Sequence, residues 1–342
     1  DPDFPSSAQK AIWFLDKEMG QQVDGVIGIN LHTIQAILQV TGPIKVLDFD
    51  ETITAQNLFE RAEYQTEINF FPGSTQKKDF LGKLTNSLLD TLLNSETVNW
   101  QQIVRSLINS ANSNQILIYN QNEKAHEVFT NMGWTGHLIQ PECQHNQFTS
   151  HCINDYLAIV EANVGVNKSN YFIDRSIDLQ VTLSDKNKIQ NQLNLYYTNN
   201  SPGEAWPGGR YKNYLRVYLP LDSTLINLTE NGLEVPAENI DISREHQKMV
   251  LGFLSQTQPG QTNTITLTYQ PPFIIPTQTS LAYNLYLQKQ SGTGSDPLKF
   301  NLTYPPTHTL VHSSEQGKSS STTFTITKPF STDQHFIIEL TE

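Results

Sequence analysis

The sequence is poor in charge and lacks any long apolar run. Charged residues make up 16% of the 342 residues, and 22 Lys and Arg stand against 34 Asp and Glu, which gives a formal net charge of −12. Nucleic-acid binding needs clustered cations that displace phosphate counterions, so this composition disfavours a nucleic-acid partner. No run of about 18 or more apolar residues occurs, so the sequence predicts no membrane-spanning helix.

The opening residues also lack the features of a secretion signal. The chain begins DPDFPSSAQKAIWF, without a basic segment followed by an apolar one. Its polar surface is expected to consist of Asn, Gln, Ser and Thr, as in LYYTNNS and GKSSSTTFTITK, and such a surface suits an extracytoplasmic protein. If the protein is exported, we expect its targeting segment to be missing from this sequence.

Only two cysteines occur, Cys143 and Cys152. In an oxidising compartment we expect them to form a disulfide, which the loop-entropy model values at roughly 2.5 to 3 kcal/mol for a loop of about ten residues. A zinc site with His145 and His151 is an alternative, although the adjacent His151 and Cys152 would point in different directions from an extended chain. Two free thiols are the third interpretation. We predict the disulfide and no metal.

The first part of the chain alternates between helix and strand patterns. DGVIGIN, IKVL and QILIYN are typical of strands, and the intervening segments have helical periodicity. Ser6 and Gln9 have the spacing of a capping box, which predicts a helix from about Ser7 to Met19. Strands separated by helices indicate an α/β or α+β domain, which we place at residues 1–166. It has few strands for its helices, so we expect DGVIGIN to need neighbours from strands upstream of Asp1.

From Tyr171 the hydrophobic period changes to two. Ile177, Leu179 and Val181 share one strand face while Asp178 and Gln180 share the other. The pattern recurs in NQLNLYYTN, YLRVYLP, TITLTYQ, YNLYLQKQ, LKFNLTYP, TFTITKP and HFIIEL, and turn-forming segments separate these strands. Such spacing predicts an antiparallel immunoglobulin-like β-sandwich at residues 167–342.

Several stretches together resemble a bacterial family known as domain of unknown function 4012. They are DFPSSAQKAIWF, DGVIGINLHTIQAILQVTGPIKV, ETITAQNLFERAEYQTE, EANVGVNKSNYFIDRSI and YKNYLRVYLPLDSTL. The resemblance implies a cell-envelope protein that is held by an amino-terminal membrane helix and has its bulk outside the cytoplasm.

The segment VDGVIGINLHTIQAILQVTGPIKV is also similar, more distantly, to the LytR-CpsA-Psr phosphotransferases. That resemblance implies transfer of glycopolymers from a polyprenyl pyrophosphate carrier to peptidoglycan, with arginines and acids on strands that precede this segment. Because this sequence begins after those strands, no residue here receives a catalytic role. A phosphotransferase would require upstream residues and Mg²⁺, and we otherwise expect no cofactor.

The loop NVGVNKSN is the first candidate binding site. Asn163, Asn167 and Lys168, with Arg175 on the next strand, could hold a phosphate or an acidic sugar. The alternative is a domain junction in which the Asn side chains bond their own backbone and Arg175, on an apolar strand face, pairs with a carboxylate.

Two further segments have a functional and a structural interpretation. One is the acidic loop of Asp48, Asp50 and Glu51, which could bind Mg²⁺ or Ca²⁺ or could form a solvated turn. Calcium-binding loops usually contain a glycine at the turn, and its absence here favours the solvated turn. Four aromatic residues could stack on sugar rings, although strand propensity explains them equally. They are Trp206, Tyr211, Tyr214 and Tyr218, and the last two share the polar strand face with Arg216.

These patterns predict a bacterial surface protein with a structural or glycan-binding role. Its expected partners are an upstream segment of the same gene product, a cell-wall or surface polysaccharide, and other copies of itself. We expect contact with the membrane only through an amino-terminal anchor that this sequence lacks. The alternative function is a phosphotransferase that attaches lipid-linked glycopolymers to the cell wall.

Overall fold

The computed structural model describes residues 1–64, 76–94, 98–143, 151–184, 188–275 and 280–342. They form two compact units, residues 1–137 and 138–342. This division lies earlier in the chain than the predicted boundary after residue 166, because the strand His151–Asn163 pairs with strands of the second unit.

The first unit is a mixed α/β structure. Its helices are α1 (Phe4–Met19), α2 (Leu31–Thr41), α3 (Leu58–Glu63), α4 (Gln76–Asn94), α5 (Trp100–Asn112) and α6 (Glu123–Asn131), and its strands are β1 (Gly25–Ile29), β2 (Ile44–Val46), β3 (Glu51–Ile53) and β4 (Ile116–Asn120). The strands form two antiparallel pairs, β1 with β4 and β2 with β3. None of the described helices is long and apolar enough to cross a membrane.

Helix α1 begins earlier than predicted. Its N-cap is Asp3, whose carboxylate accepts hydrogen bonds from the Ser6 backbone N–H and hydroxyl at 3.0 and 2.7 Å, so the predicted Ser6 cap is wrong. Pro5 fits this position because the first turn needs no backbone donor from it. Gly20 ends the helix in a left-handed conformation with φ of 62°.

Strand β1 is only partly covered. One face packs on α1, where the Phe4 ring lies directly over Gly28. On the other face, Ile27 and Ile29 are 63% and 57% exposed. The main core of this unit lies elsewhere, between α2, α4, α5 and the β2–β3 pair.

The second unit consists almost entirely of strands. They are β5 (His151–Asn163), β6 (Ile173–Leu183), β7 (Ile189–Asn199), β8 (Tyr211–Pro220), β9 (Thr224–Glu230), β10 (Leu233–Glu234), β11 (Asp241–Glu245), β12 (Lys248–Thr257), β13 (Thr262–Gln270), β14 (Leu281–Gln288), β15 (Asp296–Thr303), β16 (Thr309–Ser313), β17 (Lys318–Ser319), β18 (Thr323–Phe330) and β19 (Gln334–Thr341).

These strands form two large sheets around one core. The eight-stranded sheet has the order β10-β9-β13-β7-β6-β15-β18-β17, and the seven-stranded sheet has the order β11-β12-β8-β5-β14-β19-β16. Alternate residues of both sheets meet in a single hydrophobic cluster, so the sheets pack face to face. Each fully buried Leu, Ile or Phe contributes roughly 1.5 to 3 kcal/mol to folding.

The sheets are not purely antiparallel as predicted. Strands β5 and β14 pair in parallel in one sheet, and β6 and β15 pair in parallel in the other. These two pairs join a first half, β5–β13, to a second half, β14–β19, edge to edge within each sheet. The two-layer prediction is therefore confirmed, but an immunoglobulin-like topology is not.

Candidate functional site

The predicted binding loop uses most of its polar groups on itself. The Asn163 side-chain amide donates to the Asn167 carbonyl and side-chain oxygens at 2.9 and 3.0 Å, and the Asn167 oxygen accepts from the Ser169 hydroxyl at 2.8 Å. The Lys168 backbone N–H donates to the Pro207 carbonyl at 2.8 Å. These bonds form a turn stabilised by its own side chains, which is the structural alternative raised above. A ligand role for Asn163, Asn167 and Lys168 stays a prediction.

Arg175 lies on the inner face of β6 and pairs with a buried carboxylate. Its Nε lies 2.6 Å from Glu161 Oε2, and the Tyr211 hydroxyl donates to the same oxygen at 3.0 Å. Burial by itself would lower the pKa of Arg175, but the charge and hydrogen bond of Glu161, together with the smaller effects of Tyr211 and Asp296, raise it overall. The pKa of Tyr211 is raised by burial and by the same carboxylate. Arg175 therefore stays charged and Tyr211 stays neutral near neutral pH.

A small cavity adjoins this ion pair, where the two halves of the second unit meet. Its lining includes Arg175, Tyr197, Gln290 and Asp296, and its enclosed space is about that of one water molecule. The Tyr197 side chain is buried, and burial together with the Glu161 charge raises the pKa of its hydroxyl. Burial raises the pKa of Asp296. The cavity can hold a water or a single hydroxyl group, and it is too small for a sugar ring.

Two of the four predicted stacking residues are inaccessible. Tyr211 points into the core between the sheets, and Tyr218, although it lies on the outer face with Tyr214, is covered by a second small core that includes Leu138. The prediction that Tyr211 and Tyr218 stack on sugars is therefore wrong. Tyr214 and Trp206 are half-buried, and the Tyr214 hydroxyl donates to Asp241 at 2.7 Å.

The cysteine prediction is confirmed. Cys143 and Cys152 form a disulfide with a Cα–Cα distance of 6.1 Å, so the thiols cannot bind zinc. His145 lies outside the described residues. The bond indicates an oxidising, extracytoplasmic environment.

The acidic residues Asp48, Asp50 and Glu51 face cations of the protein itself. Asp48 lies 2.5 Å from Lys83, Asp50 lies 3.4 Å from Lys45, and Glu51 lies 3.7 Å from Arg61. In the part of the chain that the structure describes, no group of three or more His, Cys, Asp and Glu side chains could hold a metal.

A broad polar surface covers the outer side of the eight-stranded sheet. We name it the hydroxyl–amide face and define it by Ser176, Asp178 and Gln180 of β6, Gln192, Asn194 and Tyr196 of β7, Thr264, Thr266 and Thr268 of β13, Lys299 and Asn301 of β15, and Thr325 and Thr327 of β18. Their chain neighbours fill the core, so these side chains point outward by the alternation of a strand.

The strand register arranges these side chains in rows across the sheet. One row runs through Thr266, Asn194, Asp178, Lys299 and Thr327. Strands in a sheet are about 4.8 Å apart, so five strands extend this row to roughly 19 Å.

A second row lies two residues away along each strand. It runs through Thr268, Gln192, Gln180, Asn301 and Thr325. Two residues along a strand cover about 6.8 Å, which sets the spacing between the two rows.

Side-chain hydrogen bonds hold parts of this surface in place. The Thr266 hydroxyl donates to Asn194 at 2.9 Å, and the Thr325 hydroxyl donates to Asn301 at 2.8 Å. Lys299 Nζ lies 3.4 Å from Asp178, so the two charges offset each other. The result is an ordered, nearly neutral array of donors and acceptors.

Tyr196 is the aromatic residue of the hydroxyl–amide face. The residue is 37% exposed, and its cross-strand neighbours are the small residues Thr264 and Ser176. Sequence reasoning missed Tyr196 as a site residue. The alternation in NQLNLYYTN could have identified it, because Tyr196 is in phase with the polar residues Gln192 and Asn194, whereas Tyr197 is in phase with the buried ones.

Residues 1–66 match the family described as Protein of unknown function (DUF4012). This match confirms the family resemblance over that segment, while similarity to the LytR-CpsA-Psr enzymes is not shown. A search of curated protein sequences gives no significant match to the chain.

Solved structures show only weak similarity to this chain. A candidate nutrient-binding protein from Legionella pneumophila has a TM-score of 0.32 at 10% identity, over 55% of this chain and 71% of that one. Leukotriene A4 hydrolase from Saccharomyces cerevisiae has a TM-score of 0.32 at 11% identity, over 51% and 31% of the two chains. An M1 zinc metallopeptidase from Deinococcus radiodurans has a TM-score of 0.26 at 14% identity, over 49% of this chain and 42% of that one. These scores carry no conclusion about function, and less than half of the hydrolase and of the peptidase is covered.

Proposed function

We propose that this chain, whose residues 1–66 match the DUF4012 family, is a bacterial cell-envelope protein that binds a neutral glycan on its hydroxyl–amide face. The observation that carries the proposal is the ordered array of Thr, Asn and Gln side chains around the exposed Tyr196 ring. The disulfide supports a location outside the cytoplasm.

The chemistry of the face suits a polyhydroxylated ligand. Each sugar hydroxyl both donates and accepts hydrogen bonds, and Thr hydroxyls and Asn and Gln amides offer both functions. The ring of Tyr196 offers an apolar surface to the C–H side of a pyranose. Since Asp178 and Lys299 offset each other, the face provides no excess charge for an acidic polymer.

The single contact that separates glycan binding from an ordinary solvated sheet is the Tyr196 ring. We expect Tyr196→Ala to weaken retention of the protein by a neutral polysaccharide at least fivefold in affinity electrophoresis, because a stacked aromatic contributes roughly 1 kcal/mol. Ile242→Ala, at an exposed position of the other sheet, is the control and should leave retention unchanged. Equal retention of both variants and the wild type would contradict the proposal, as would no retention of the wild type by any neutral polysaccharide.

A phosphotransferase remains the alternative function. It rests on the resemblance of the segment around β1 to the LytR-CpsA-Psr enzymes, and its catalytic residues and Mg²⁺ site would have to lie upstream of this sequence. Transfer of a lipid-linked glycan by the complete gene product, measured with and without Mg²⁺, would favour this alternative over a binding role.

A further inference from the structure

The orientation of β1 can be read from the bonds at its two ends. The Gln121 backbone N–H donates to the Asp24 carbonyl at 2.8 Å, and the Asn30 N–H donates to the Gln115 carbonyl at 2.9 Å. Both bonds join the ends of β1 to the ends of β4. In an antiparallel pair, successive residues turn their backbone groups alternately toward and away from the neighbour. The even-numbered residues of β1 therefore face β4, and the odd-numbered ones face away.

The outer edge of β1 is consequently an open row of hydrogen-bonding groups. Gly25, Ile27 and Ile29 turn their N–H and C=O groups outward, and none of these groups has a partner among the described residues. The other edge of the pair is partly covered, because the Ile118 N–H of β4 donates to the Trp134 carbonyl at 2.8 Å. An open strand edge offers a polypeptide strand the same hydrogen bonds as the interior of a sheet.

The edge strands of the second unit are protected in ways that β1 is not. Strands β10 and β17 have two residues each, β11 carries charged side chains, and β16 contains a register shift. Short, charged or irregular edge strands prevent pairing with other chains. Strand β1 is uncharged, five residues long and regularly paired with β4, and it exposes Ile27 and Ile29.

We propose that β1 pairs antiparallel with β1 of a second copy of this chain, about a two-fold axis at Ile27. In this register Ile27 lies opposite Ile27 of the other copy, and Gly25 lies opposite Ile29. All outward-facing residues of one copy then meet outward-facing residues of the other, so the open groups of both edges are satisfied and a four-stranded sheet β4-β1-β1-β4 forms.

Size and charge also match in this register. Each exposed Ile29 lies beside a residue without a side chain, Gly25, and the two Ile27 side chains contact each other across the axis. The strand itself has no charge, and the two Asp24 carboxylates lie at opposite ends of the pair, each opposite Asn30 of the other copy. Along the paired strands themselves, self-pairing therefore brings no like charges together.

Single cysteine variants test this register directly. Both natural cysteines are in the disulfide, so an introduced cysteine is the one free thiol. Directly opposite residues with outward-facing backbone groups are about 5.5 Å apart at Cα, within the range of a disulfide. The two Ile29 residues would be about 14 Å apart, since four residues at about 3.4 Å separate their positions along the strands.

We expect Ile27→Cys to give a covalent dimer on mild oxidation, and Ile29→Cys and Ile242→Cys to remain monomers. Ile242 is a matched control because it is 60% exposed and lies on the edge strand β11. Ile27→Lys should weaken wild-type self-association at least tenfold in sedimentation equilibrium, with unchanged circular dichroism. Cross-linking of all three cysteine variants at equal rates would indicate random collision and overturn the proposal. A wild-type protein that stays monomeric at high concentration would also overturn it, and the upstream strands expected from the sequence would then be the better candidate for pairing with this edge.

Discussion

The second unit accommodates buried cations in two different ways. Arg175 has a carboxylate partner, Glu161, at 2.6 Å. Lys248 is 2% exposed, and its ammonium group donates to Gln140 Oε1 at 2.5 Å and lies 4.1 Å from the centre of the Tyr156 ring. No carboxylate lies within ion-pair distance of Lys248 among the described residues. Burial lowers the pKa of Lys248 to about 8, so the charged side chain destabilises the fold.

Replacing Lys248 by Met should therefore stabilise the protein at neutral pH, by roughly 1 to 2 kcal/mol. Between pH 8 and the ordinary pKa of 10.5, the folded state binds fewer protons at this site than the unfolded chain. The stability of the wild type relative to Lys248→Met should consequently rise with pH across this window, and the advantage of the variant should shrink. Urea denaturation at a series of pH values measures the difference. Lys212→Met, at an exposed position, is the control, and a pH-independent difference for Lys248→Met would contradict the account.

At the scale of single elements, two glycines of the first unit should respond in opposite directions to an added methyl group. A Cβ at Gly28 would lie 2.9 Å from the Phe4 ring that joins α1 to β1, whereas a Cβ at Gly82, inside α4, would have no atom within 4 Å. Gly28→Ala should cost roughly 1 to 3 kcal/mol by overpacking. Gly82→Ala should add roughly 0.5 to 1 kcal/mol by favouring the helix.

Urea denaturation followed by tryptophan fluorescence can measure both glycine effects. Three of the four tryptophans, Trp13, Trp100 and Trp134, lie in the first unit, so the signal reports mainly on that unit. Unchanged stability of Gly28→Ala would show that the packing of α1 on β1 is not as described, and destabilisation by Gly82→Ala would show that a side chain at position 82 of α4 does meet other atoms.

Local periodicity was sufficient to predict most of these elements. The helices α2 and α5 and the strands β1 and β4 lie where the apolar spacing predicts them, because helix and strand periods depend only on neighbours in the sequence. The start of α1 was misplaced because Asp3, Ser6 and Ser7 are all acceptable caps, and only the folded chain selects one of them.

Pairing between distant strands could not be predicted in the same way. The parallel pairs β5–β14 and β6–β15 join segments more than a hundred residues apart, and nothing in either segment specifies the other. The same limit affected the site. Alternation correctly predicts that Tyr214 and Tyr218 share one strand face. It cannot predict that Tyr218 is buried, because the residues that pack on it, such as Leu138 and Val250, are distant in the sequence.

At the scale of the whole molecule, the second unit presents one sheet with its outer face partly covered and one with a broad outer polar surface. The seven-stranded sheet carries a second small core on its outside, and the eight-stranded sheet carries the hydroxyl–amide face. The two parallel strand pairs extend that face across both halves of the unit. A glycan chain lying across the strands would therefore meet equivalent rows of side chains along its length.

The most direct test of glycan binding blocks the hydroxyl–amide face without changing its fold. Gln180 is an exposed residue in one of the rows, and Gln180→Cys can be modified with a bulky maleimide. Ile242→Cys, modified in the same way on the other sheet, is the control. We predict that isothermal titration calorimetry with a neutral polysaccharide will show binding by the wild type and the modified control, and loss of binding by the modified Gln180→Cys protein. Undiminished binding by the modified Gln180→Cys protein would contradict the account.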